Sequence, residues 1–159
     1  MIDYDNTAGF NKKNEPALVA AYTVDNPEKQ RQCIAYSLDK GRTFTKYEGN
    51  PVIDSKAKWN SKDTRDPKVF WYAPGKHWVM VLNERDGHSI YNSADLKNWE
   101  YKSHVTGFWE CPELFELPVD GDKNHTKWVM YGASGTYMLG SFDGQTFTPE
   151  AGKYYYCLL

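Results

Sequence analysis

"YSLDKGRTF" (Tyr36–Phe44), "YNSADLKNW" (Tyr91–Trp99) and "GSFDGQTF" (Gly140–Phe147) are three versions of one phrase. Each holds a serine, an aspartate two residues later, and a threonine or asparagine just before a phenylalanine or tryptophan. The serines fall at 37, 93 and 141, about 50 residues apart. An aspartate in this position closes a tight turn by accepting hydrogen bonds from the backbone amides that follow it. The aromatic residue then begins the next strand, so each copy reads as one β-hairpin.

Two other features share the spacing. "KHWVMVL" (Lys76–Leu82) is echoed by "TKWVMYG" (Thr126–Gly132), and "DPKVFWY" (Asp66–Tyr72) by "CPELFEL" (Cys111–Leu117). In the middle copy the order is clearest. Strands are expected at about 68–73, 77–82, 88–93 and 98–103, with a turn at 74–76 and a polar loop after 82. Four short antiparallel strands at a period of about 40–50 residues describe a propeller blade. The fold class is therefore all-β. A plain β-sandwich is the alternative, but it gives no reason for three features to share one period.

Counting blades at this period gives about 10–49, 64–104 and 109–150, with 152–159 starting a further one. A closed propeller has typically four to eight blades. The 159 residues thus read as a single partial propeller domain of about three blades. Uncovered blade edges favour self-association.

Composition narrows the function. The net charge is −2, which gives no electrostatic footprint for nucleic acid. No run of about 18 apolar residues and no polybasic cluster points to a membrane. The opening "MIDYDNTAGFNKK" has no apolar signal core, and localisation stays open. The cysteines, Cys33, Cys111 and Cys157, are odd in number and contain no CxxC, which argues against a disulfide framework or a zinc site. His77, His88, His104 and His125 show no ligand spacing and read as surface or core residues. Aromatic residues make up 16% of the chain, supplying strand positions and flat faces for sugar rings alike.

The chemistry concentrates before two prolines. "TRDPK" (Thr64–Lys68) and "WECPE" (Trp109–Glu113) each place charge where an innermost strand begins. Arg65, Asp66 and Glu110 would then meet at one end of the channel. Two carboxylates with an arginine among aromatics suit glycoside hydrolysis. The plainer reading is an ordinary Arg65–Asp66 ion pair and a strand-end cap at Glu110. Phe108 and Trp109 are expected to form a dry wall that favours a protonated Glu110. Leu114, with Phe115 and Leu117, is expected to pack between blades. Cys111 reads as a packing residue, because no histidine is placed to activate it.

At these residues the chain resembles glycoside hydrolase family 32, the invertases, levanases and inulinases. "RDPKVFW" (Arg65–Trp71) and "ECPELFELP" (Glu110–Pro118) are similar to the family's signature segments. "NTAGF" (Asn6–Phe10), "IAYSLDKGRTFTKYEGNPVI" (Ile34–Ile53), "DLKNWEY" (Asp95–Tyr101) and "GSFDGQTF" follow in the family's order. The resemblance implies part of a five-bladed propeller and retaining hydrolysis of β-fructofuranosides such as sucrose, levan or inulin. It makes Glu110 the acid/base and Asp66 the transition-state stabiliser. Arg65, Trp109 and Thr64 would contact substrate, Thr64 standing where the family often has an aromatic. No metal or organic cofactor is implied.

The family's nucleophile lies in a Trp-Met-Asn-Asp-Pro-Asn-Gly segment that this sequence does not contain; "VDNPEK" (Val24–Lys29) lacks the pattern. The expectation is a piece covering roughly blades two to four, inactive or weak alone, from a parent that is secreted or periplasmic. The competing readings are a carbohydrate-binding or self-assembling module and an arabinanase-like five-bladed glycosidase.

Overall fold

In the computed structural model, residues 1–11, 15–26, 28–55, 59–61 and 63–156 are described. They form three antiparallel sheets, each a propeller blade. The first runs β1 (Ile2–Asp3), β2 (Ala17–Val24), β3 (Arg31–Ser37), β4 (Thr45–Lys46). The second runs β5 (Thr64–Tyr72), β6 (His77–Glu84), β7 (Gly87–Ser93), β8 (Glu100–Thr106). The third runs β9 (Glu113–Val119), β10 (Asp122–Tyr131), β11 (Thr136–Phe142), β12 (Phe147–Pro149). The first blade gains a strand that the sequence does not announce, β1, paired to β2 through Ile2–Leu18 and Asp3–Ala17. The tail also differs from expectation. β13 (Tyr154–Tyr155) does not open a new sheet but pairs with β11 through Thr136–Tyr155 and Tyr137–Tyr154. It thereby extends the third blade's outer edge, and Cys157–Leu159 lie outside the described residues.

The repeated phrase forms the turns it predicts. Asp39 accepts the Thr43 amide at 2.9 Å and the Thr43 hydroxyl at 2.7 Å, while the Ser37 hydroxyl donates to it at 2.7 Å. Asp95 repeats this with the amides of Lys97 and Asn98 at 3.0 and 2.8 Å. Asp143 accepts from Gln145 and Thr146 at 2.8 and 2.7 Å. Hydrogen bonds led by the Thr43 amide hold the Asp39 carboxyl well below the usual carboxylate range, as those led by Thr146 do for Asp143.

The middle blade is buried on both faces, and β6 shows why. Its period-2 alternation sends Trp78, Met80 and Leu82 into the clusters shared with the first blade, where Val19, Ile34 and Ile53 pack. Val79 and Val81 join Ile90, Phe108, Leu114, Met130, Phe142 and Phe147 against the third blade. A strand covered on both sides reads as a continuous apolar run, as "WVMVL" does. The flanking blades lack this cover. On β9, Leu114 is buried, but Phe115 is half-buried and Leu117 exposed, so only the first of these three leucine and phenylalanine positions packs between blades.

Candidate active site

The site starts at a bulge. β5 and β6 pair Thr64 with Glu84 and Arg65 with Asn83, and then Lys68 with Val81. Asp66 and Pro67 together therefore oppose the single residue Leu82. A β-bulge re-aims the side chain of the extra residue, and Pro67 has no amide to lose there. Asp66 takes a left-handed φ of 61°. Its amide donates to the Thr23 hydroxyl at 3.3 Å, which anchors the bulge to the first blade.

The second carboxylate stands on the connection from β8 to β9. Glu110 and Cys111 both have left-handed φ, 48° and 44°. Such residues cost of order 1–3 kcal/mol each and persist where surrounding structure over-determines them. Here the surroundings do so. The Glu110 amide donates to Asn83 Oδ1 at 3.0 Å, and the Cys111 amide to Asp66 Oδ2 at 3.0 Å. The Ala133 amide donates to the carbonyls of Trp109 at 2.8 Å and Glu110 at 3.1 Å. That approach requires Gly132, where a Cβ would sit 2.7 Å from the Glu110 carbonyl oxygen and 2.8 Å from the His88 ring. Gly132→Ala is accordingly expected to destabilise the chain by about 1–3 kcal/mol and to displace the Glu110 loop. Denaturant unfolding and the amide shifts of Glu110 and Cys111 measure the two effects; unchanged shifts would contradict this packing.

Arg65 joins the two carboxylates. Its guanidinium pairs with Glu110 and with Asp63, and its Nε lies 3.9 Å from Asp66 Oδ2. The three side chains of the Arg65–Asp66–Glu110 group are between 23% and 35% exposed, so they stay open to a ligand. A second interblade ion pair, Lys68 to Glu113 at 2.5 Å, lines a cleft of about 330 Å³ on the Asp66 side of the group, walled also by Cys111, Pro112 and Tyr131.

Four sequence expectations need correction. Thr64 is fully buried; its hydroxyl donates to the Gln30 carbonyl at 3.1 Å and its carbonyl accepts from Gln32 at 2.9 Å. It ties blade one to blade two and presents nothing to a sugar. Trp109 is half exposed, so it is no dry wall beside Glu110. Phe108 is buried and stacked on His88, with ring centroids 5.1 Å apart, while the Glu110 carboxylate pairs with Arg65. Cys111 is exposed rather than packed, and burial effects together with the Asp66 and Glu110 charges push its thiol up, which disfavours a thiolate nucleophile. Asp63, Asn83 and Gly132 escaped the sequence reading.

The bulge, the left-handed loop and the shared arginine invite comparison with known proteins. Residues 4–156 match the N-terminal domain of glycosyl hydrolases family 32. The chain belongs to this family. It is 51% identical to a levanase of Bacillus subtilis over 94% of this chain and 24% of that one. Invertase 1 of Saccharomyces cerevisiae is 40% identical over 99% of this chain and 34% of its own length. Among solved structures, the fructofuranosidase of Schwanniomyces occidentalis complexed with fructose superposes with a TM-score of 0.85 at 38% identity, covering 98% of this chain and 34% of that one. An exo-inulinase from Aspergillus awamori gives 0.83 at 37%, covering 95% and 36%. The chain thus spans about a quarter to a third of the length of these family 32 relatives.

Proposed function

We propose that this chain is the acid/base portion of a retaining β-fructofuranosidase. The supporting observation is that the carboxylates of Arg-Asp-Pro and Glu-Cys-Pro, one on β5 and one on the β8–β9 connection, meet at one arginine and are both partly exposed. Glu110 delivers a proton to the leaving glycosidic oxygen and then accepts one from the attacking water. Asp66 holds fructose hydroxyls and stabilises the positive charge that develops at the anomeric centre. Arg65 orients the sugar and Trp109 supplies a ring face. The relatives named as levanase, inulinase and invertase make sucrose and fructans the substrates to expect.

A retaining reaction also needs a carboxylate nucleophile about 5 Å from the acid. The 159 residues contain no Asn-Asp-Pro segment of the family kind. Alone, they supply two of the three carboxylates, and turnover is expected to lie at least about 10⁴-fold below that of a full-length relative, because catalytic residues act as a unit. Fructose release from sucrose, levan and inulin measures this. Turnover comparable to a relative, abolished in Glu110→Ala, would sink the inactivity claim. Calorimetric titration with fructose separates this reading from that of a binding module: loss of binding in both Asp66→Ala and Glu110→Ala supports a shared sugar site, and full binding in both rejects it.

The second reading, self-association, is favoured by the third blade, where Leu117 and Tyr155 are exposed. Size-exclusion chromatography over a range of concentrations is expected to show oligomers; a clean monomer throughout would reject it.

A further inference from the structure

Asn83 occupies an unusual position for a polar residue. It lies on β6 opposite Arg65, and it is only 4% exposed. Its Oδ1 accepts the Glu110 amide, 27 residues away in sequence. A backbone amide only donates, so the oxygen of the Asn83 side chain must face it. The next amide, that of Cys111, goes to Asp66 Oδ2. Two consecutive amides of the loop are therefore received by two side chains from adjacent strands of the middle blade, Asp66 within the bulge on β5 and Asn83 beside it on β6. We propose that Asn83 is the positioning residue that locks the Glu110–Cys111 turn in its left-handed form and so sets Glu110 against Arg65 and Asp66.

The chemistry favours asparagine there. A buried amide left without an acceptor carries a desolvation penalty, and the strained φ of Glu110 has to be held by something. Asparagine supplies an acceptor without adding charge. An aspartate would keep the acceptor but add a fourth carboxylate to Asp63, Asp66 and Glu110 around the one Arg65 guanidinium. Backbone contacts at Ala133 and Gly132 hold the carbonyl side of the turn, but they leave the Glu110 amide unserved.

The inference rests on Glu110 being the acid/base, yet its test does not depend on turnover. Amide hydrogen exchange is followed residue by residue in the intact chain and in Asn83→Ala, Asn83→Leu and Asn83→Asp. In Asn83→Ala and Asn83→Leu the Glu110 amide is expected to exchange about tenfold faster or more, while Val81 and Ile90 on the same blade keep their rates. In Asn83→Asp, which retains an acceptor, Glu110 is expected to return to within about threefold of the original rate. Equal acceleration at Val81 and Ile90 would reduce Asn83 to a general structural role. An unchanged Glu110 rate, or failure of Asn83→Asp to restore it, would overturn the proposal outright. A loss of fructose binding or turnover is a separate result, bearing on the assignment of Glu110.

Discussion

Acidification from pH 6.5 to pH 4 is expected to remove about 3 kcal/mol of folding stability through one side chain, His88. His88 is fully buried against Phe108 and Gly132, and neither ring nitrogen has a well-aligned hydrogen-bond partner. Burial pushes its pKa down to about 4. The nearby Glu110 backbone opposes this, and His104 and Lys153 add slightly to it. In the unfolded chain the imidazole takes its proton near 6.5. Between these values the unfolded state binds more protons, so stability is complete above about 6.5 and falls as the pH drops toward 4. The depressed carboxyls of Asp39, Asp95 and Asp143 act in a lower window, below the ordinary aspartate range near 4. Urea unfolding at pH 7, 5.5 and 4 reads the effect. His88→Leu is expected to flatten the curve across that interval; an identical slope in the variant would show that His88 is not the titrating group.

The second large effect separates two leucines of one strand. Leu114→Ala is expected to cost about 2–5 kcal/mol, and Leu117→Ala no more than about 0.5 kcal/mol. Both lie on β9, three residues apart. Leu114 is 1% exposed and packs with Val79, Val81 and Met130 between the second and third blades. Leu117 points to the opposite face and is 48% exposed. Removing Leu114 leaves a cavity that a tightly packed interblade core closes only in part. Removing Leu117 leaves water in contact with a smaller side chain. The denaturant midpoint at fixed slope measures both. Similar costs would mean that the outer face is covered in solution, which the concentration dependence of the Leu117→Ala midpoint would reveal.

Much of the site was readable as motif. Arg65, Asp66 and Glu110 stand in strings specific enough to name a family, and the structure brings those three side chains into contact. Asn83 was not readable. In "VLNERDG" (Val81–Gly87) it looks like the start of a polar loop, because the apolar alternation stops at Leu82. It is a strand residue because β5 begins early, at Thr64, and offers Asn83 and Glu84 partners on the neighbouring strand. Gly132 and His88 were silent for the same kind of reason. Each matters only through a contact with a loop more than 20 residues away in sequence.

The sequence by itself determined the turns, the blade period and the identity of the charged residues. These depend on short-range rules: an aspartate reaching amides two to four residues ahead, or side chains alternating along a strand. The tertiary structure decided which faces are covered, how Glu110 is held, and which groups surround it. The presumed apolar wall became an ion pair with Arg65, and a substrate residue, Thr64, became a buried tie between blades. Burial and electrostatic environment are set by groups distant along the chain, and no local pattern carries them.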